Sequence, residues 1–68
     1  MYLRGDEICI GRVYYKSGYE AWQLVHRGEC EGSDGYIRFF VTMIRISDNS
    51  LRTVLECTFK KKWKLYQN

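Results

Sequence analysis

The sequence predicts a mainly β domain: a small antiparallel sheet or partial barrel of four or five strands, with room for a short C-terminal helix. Three observations carry that prediction. Short runs rich in Val, Ile, Thr, Tyr, Phe and Trp recur along the chain, separated by turns containing Gly, Ser and Asp. Sixty-eight residues make one domain, residues 1–68, near the lower size limit for a self-sufficient core. With 46% hydrophobic and 16% aromatic residues and no proline, the chain carries the dense apolar content that so small a core needs.

Residues 7–15 (EICIGRVYY) read as the first strand, with Gly11 marking a bulge or a close backbone approach. Lys16, Ser17 and Gly18 make a tight turn into residues 19–26 (YEAWQLVH). There alternation puts Trp22 and Leu24 on one face with Glu20 and His26, and Tyr19, Ala21 and Val25 on the other. Residues 27–35 (RGECEGSDG), with three glycines, a serine and three acids, read as a loop. Residues 36–46 (YIRFFVTMIRI) are apolar on both faces, as in a central strand covered on each side, and residues 47–50 form a polar turn.

From Leu51 onward two periods compete. At period two, Thr53, Leu55, Cys57, Phe59, Trp63 and Leu65 share a face. At helical spacing, Leu51, Val54, Leu55, Phe59, Trp63 and Tyr66 form a stripe, and Thr53 and Glu56 are spaced as a capping box. The β-favouring composition places residues 51–59 in a strand, while residues 60–66 continue it, start a fifth strand or form a short helix. The expected core is Ile8, Ile10, Trp22, Leu24, Phe39, Val41, Ile44, Leu55, Cys57 and Phe59. Two hairpins, 7–26 and 36–60, would be joined by the acidic loop.

Catalytic chemistry finds little to work with. The single histidine, His26, must serve any Ser-His-Asp or Cys-His arrangement, and Cys30 is its nearest thiol. The acids Glu29, Glu31 and Asp34 fall in a glycine-rich segment that suits solvation better than acid–base work. Zinc ligands normally come in close pairs, and Cys9, Cys30 and Cys57 contain no C-x-x-C. Cys9 and Cys57 read instead as small buried hydrophobes. The expectation is a protein that is not an enzyme and needs no metal or cofactor. An odd cysteine count, together with Arg4, Asp6 and Glu7 where a signal peptide would be apolar, points to a reducing, cytoplasmic setting with no membrane role.

Eleven Lys and Arg against eight Asp and Glu leave a net charge of +3, which permits an anionic partner. The basic residues concentrate in Lys60, Lys61, Lys62 and Lys64 around Trp63, with Tyr66 nearby, while Tyr14, Tyr15 and Tyr19 crowd one hairpin end. Cations for phosphates and rings for base stacking are the two components of a single-strand surface. On a strand, Lys60, Lys62 and Lys64 form a comb spaced roughly 6.5–7 Å apart. The competing reading has the lysines blunting an edge strand while Trp63 packs inward.

The stretch Gly11-Arg12-Val13-Tyr14-Tyr15, followed by Lys16-Ser17-Gly18-Tyr19, resembles the opening hairpin of cold-shock proteins. Residues 30–39 (CEGSDGYIRF) are similar to the loop and third strand of that family. Glu20-Ala21-Trp22 replaces the family's aromatic-glycine-aromatic core, and Arg38 stands where a histidine between aromatics belongs. The resemblance implies a five-stranded OB-type barrel that binds single strands through aromatics, within the OB- or SH3-like partial barrel that the strands predict. The leading expectation is a binding protein engaging nucleic acid or a nucleic-acid-processing complex. The alternative is a protein-binding inhibitor or adaptor, of the kind carried by phages and mobile elements, acting through an aromatic surface. An exposed edge strand in so short a chain also favours a homodimer.

Overall fold

The computed structural model describes residues 3–16 and 20–65. After a 3-10 turn at Gly5–Glu7 the elements are β1 (Val13–Lys16), β2 (Glu20–Glu31), β3 (Ile37–Arg45), β4 (Leu51–Leu55), α1 (Glu56–Lys62) and β5 (Lys64–Leu65). All pairings are antiparallel, in one open sheet of order β4-β3-β2-β1-β5. The first four strands form a meander, and α1 then returns the chain so that β5 lies beside β1. The sheet is open, so of the two forms expected, a small antiparallel sheet or a partial barrel, the described residues show the sheet.

The first strand begins at Val13 rather than at residue 7. Residues 8–12 wrap around Tyr14 instead. Its hydroxyl donates to the Glu7 carbonyl and accepts from the Cys9 N–H at 2.9 Å. Gly11 adopts φ +92°, where glycine is favoured, and its N–H donates to the Leu24 carbonyl at 2.7 Å. A Cβ at Gly11 would meet nothing within 4 Å, so neither the bulge nor the close backbone approach expected there selects the glycine; its positive φ does, in a turn that precedes the strand.

β2 runs on through residues 27–31, which the sequence reading assigned to a loop. Main-chain bonds to β3 do not depend on side-chain polarity, and the acids there reach solvent, so polar composition does not end the strand. The reversal is confined to residues 32–36. There Gly32 N–H donates to the Tyr36 carbonyl at 2.8 Å, and the Asp34 carboxylate accepts from Tyr36 N–H. A bulge between Leu24 and His26 shifts the alternation. Trp22 and Leu24 face the core, but His26 pairs with Thr42 on the opposite face, and Arg27 takes the core side opposite Val41.

β4 stops at Leu55 and α1 replaces the strand predicted over residues 56–59. The helical stripe wins because Glu56, Phe59 and Trp63 all land on the same side. Phe59 meets Tyr14 edge-on at 4.8 Å and stacks on Trp63 at 5.7 Å, and Trp63 meets Trp22 edge-on at 6.4 Å. Glu56 Oε1 lies 2.5 Å from Arg27 Nη2, which ties the helix start to β2. Leu55 is the N-cap and makes no side-chain cap bond, so the Thr53–Glu56 spacing is not used as a capping box.

The core is Leu3, Ile8, Tyr14, Trp22, Leu24, Val41, Met43, Phe59 and Trp63, with Val54 and Leu65 packed against it. Of the expected core residues, Ile10, Phe39, Leu55 and Cys57 are exposed and Ile44 is half-buried. The cause is coverage. Residues 36–46 suggested a strand covered on both sides, but α1 packs on the Val41/Met43 face, and the register puts Phe40 beside Leu55 and Ile44 beside Leu51 on the other.

Candidate functional site

The lysine cluster does not form a comb. Lys60, Lys61 and Lys62 occupy the last turn of α1, where successive side chains diverge by about 100° around the axis. Lys61, Lys62 and Lys64 are exposed and Lys60 is half-buried. Trp63, at their centre, is 1% exposed, with Lys16 Nζ at 5.0 Å and Arg52 Cζ at 5.6 Å from its ring. Tyr14 is fully buried. Both rings were candidates for base stacking, and both belong to the core because α1 folds back over the sheet. Tyr15 is half-buried and lies opposite Lys64 in the β1–β5 register. Tyr19 and Tyr66 lie outside the described residues.

The exposed apolar side chains gather elsewhere. β4 pairs with β3 only from Phe40 to Ile44, so residues 29–31 and 37–39 project past it as a two-stranded arm ending in the 32–36 turn. On this arm Tyr36 is 71%, Ile37 59% and Phe39 50% exposed, and Leu55 at its base is 45% exposed. Phe39 and Ile37 alternate with Arg38 and therefore share the face that carries α1. Between them and Leu55, Cys57 and Lys60 lies an open groove of about 320 Å³. A second depression of about 240 Å³ flanks Phe39 on the side of Arg27, Gly28 and Glu29. Gly28 is held to glycine by its neighbour, since a Cβ there would meet the Phe40 ring at 2.8 Å.

The arm is acidic where it is aromatic. Glu29, Glu31 and Asp34 are exposed on it, and Arg38 is engaged by both Asp34 oxygens at 3.1 and 2.7 Å. That bidentate contact, helped by Tyr36 N–H, holds the Asp34 carboxyl below its ordinary range and raises the Arg38 guanidinium. The exposed rings therefore stand among carboxylates and among Arg27, Arg38 and Lys60, which line the same depressions, whereas Lys61 and Lys62 adjoin a tryptophan that is buried.

Cys9, Cys30 and Cys57 are all free and exposed, so Cys9 and Cys57 are not the buried small hydrophobes their surroundings in sequence suggested. Residues 8–12 leave the sheet, and Cys57 lies in the first turn of α1, away from Phe59. His26 and Cys30 sit four residues apart along β2, about 13 Å at the strand rise, too far for a thiol–imidazole pair. Among the described residues no three His, Cys, Asp or Glu gather to hold a metal, and no helix is long and apolar enough to cross a membrane. The sequence reading missed Tyr36, Ile37 and Leu55 as surface residues. The available signal was a strand apolar on both faces in a chain with one short helix to cover it. No family model, curated protein or solved structure matches the chain.

Proposed function

We propose that this chain is a non-enzymatic, cytoplasmic protein-binding domain, an adaptor or inhibitor that docks its partner on the projecting end of the β2–β3 hairpin. The observation that carries this reading is the concentration of Tyr36, Ile37 and Phe39, each half exposed or more, on one arm, where only nine of the described residues form the buried apolar core. Clustered exposed apolar side chains rimmed by charge mark interaction surfaces, and aromatics anchor them. Nucleic-acid binding is the weaker reading, because the exposed Lys61, Lys62 and Lys64 adjoin a buried tryptophan, and on the arm Arg38 is taken by Asp34 while Glu29 and Glu31 stand beside the rings. Three exposed free thiols suit a reducing compartment.

The test compares two variants with the wild type in quantitative partner capture from nuclease-treated extract. An Ile37→Asp/Phe39→Asp variant, with its fold verified by circular dichroism, is expected to lose the partner by about tenfold or more. Lys61→Ala/Lys62→Ala/Lys64→Ala is expected to retain it. The reverse pattern, with oligonucleotide binding that weakens steeply with salt and vanishes in the lysine variant, overturns the proposal.

A further inference from the structure

β4 is the terminal strand of the sheet, and among the described residues nothing pairs with its outer edge. Its five residues, LRTVL, include no lysine or proline, no bulge interrupts its pairing with β3, and its one charge, Arg52, lies on the core face over Trp63, so the outer face of this edge strand carries no charge. The direction of its backbone groups follows from the turn before it. Arg45 N–H donates to the Ser50 carbonyl at 2.8 Å, so the hydrogen-bonded pairs with β3 are Met43–Arg52 and Val41–Val54. Leu51, Thr53 and Leu55 therefore turn their N–H groups toward the open edge, as do the carbonyls of Leu51 and Thr53. The Leu55 carbonyl is taken by the first turn of α1.

We propose that a second copy of this chain pairs along this edge, β4 against β4 about a two-fold axis at Thr53. This surface is separate from the hairpin arm and goes beyond the function proposed above. The sequence of β4 is complementary to itself in this register. Leu51 meets Leu55 of the second copy, Arg52 meets Val54, and Thr53 meets its own equivalent. Pairs of leucines, now 69% and 45% exposed, would flank a threonine pair on the outer face, next to Phe40 and Ile44. Thr53 already contacts the Thr42 hydroxyl at 2.9 Å, so a line of four threonine side chains would cross the interface. Moving the axis to Arg52 would set two guanidinium groups opposite one another, and like charges directly opposed disfavour pairing. The centred register offers four main-chain hydrogen bonds and opposes no like charges.

The test uses Thr53→Lys and Thr53→Glu, each placing like charges at the axis of a homodimer and opposite charges in a mixture. Sedimentation velocity of the wild type from about 10 µM to about 1 mM is expected to show concentration-dependent doubling of mass. Each variant alone, folded by circular dichroism, is expected to associate at least about tenfold more weakly. An equimolar mixture is expected to recover association. A wild type that stays monomeric throughout, a Thr53→Lys protein that dimerises normally, or a mixture no more associated than its components would overturn the proposal. Ile37→Asp/Phe39→Asp should leave self-association unchanged, which keeps a failure here distinct from a failure of the hairpin reading.

Discussion

Replacing Trp63 with alanine separates the two roles its ring can have, base stacking at the surface and packing in the core. The ring is 1% exposed and touches Phe59, Trp22, Lys16 and Arg52. Truncating a buried tryptophan costs about 3–5 kcal/mol, and the two cation–π contacts add about 0.5–1 kcal/mol each. A domain of 68 residues has roughly 3–10 kcal/mol of stability in all. Trp63→Ala should therefore lose about 4–7 kcal/mol, roughly half of that stability or more, and its urea transition, followed by far-ultraviolet circular dichroism, should shift to far lower concentration or vanish. Phe39→Ala is the control. Its ring is half exposed, so the substitution uncovers about 50 Å² of buried apolar surface, worth about 1 kcal/mol, and opens no closed cavity. Its Tm should fall by about 4–8 °C. If Trp63→Ala unfolds close to wild type while Phe39→Ala abolishes folding, the assignment of core and surface is reversed and the reasoning fails.

Tyr14→Phe keeps the buried ring but leaves Glu7 O and Cys9 N–H without their shared hydroxyl, at a cost of about 1–2 kcal/mol. Amide exchange at Cys9 should accelerate while β2 and β3 amides hold, and unchanged Cys9 exchange would refute the anchoring role. Stability should also fall at both pH extremes. Arg38 depresses Asp34, and the Ser50 backbone N–H depresses Asp48, so their contribution is present above the ordinary 3.8 and lost as pH drops below it. Burial raises Tyr14 above 10.0, so its contribution is present below that pH and lost as pH rises past it. Urea midpoints measured against pH should form a plateau between these limbs, and Asp34→Asn should flatten the acid one.

The β class, the two hairpins, the turn at residues 47–50 and a chain reversal within residues 27–35 were legible from residue type, because strand and turn preferences are local. Asp48 and Asp34 each cap a following backbone N–H, and Asn49 takes φ +60°, as turn chemistry anticipates. The ends of elements were less legible. Residues 27–31 became strand because β3 offered them hydrogen bonds, and residues 56–59 became helix because that turn brings Phe59 onto Tyr14 and delivers Trp63, its C-cap, against Trp22.

For the candidate site the division is sharper. The sequence by itself determined that the chain is rich in rings, mildly basic and short of catalytic groups. Which rings face solvent was decided by the single helix, which covers one face of the sheet and stops short of the hairpin arm. That placement buries Trp63 and Tyr14 and leaves Tyr36, Ile37 and Phe39 uncovered. Burial is a property of what lies across from a residue, and only the tertiary structure supplies that neighbour.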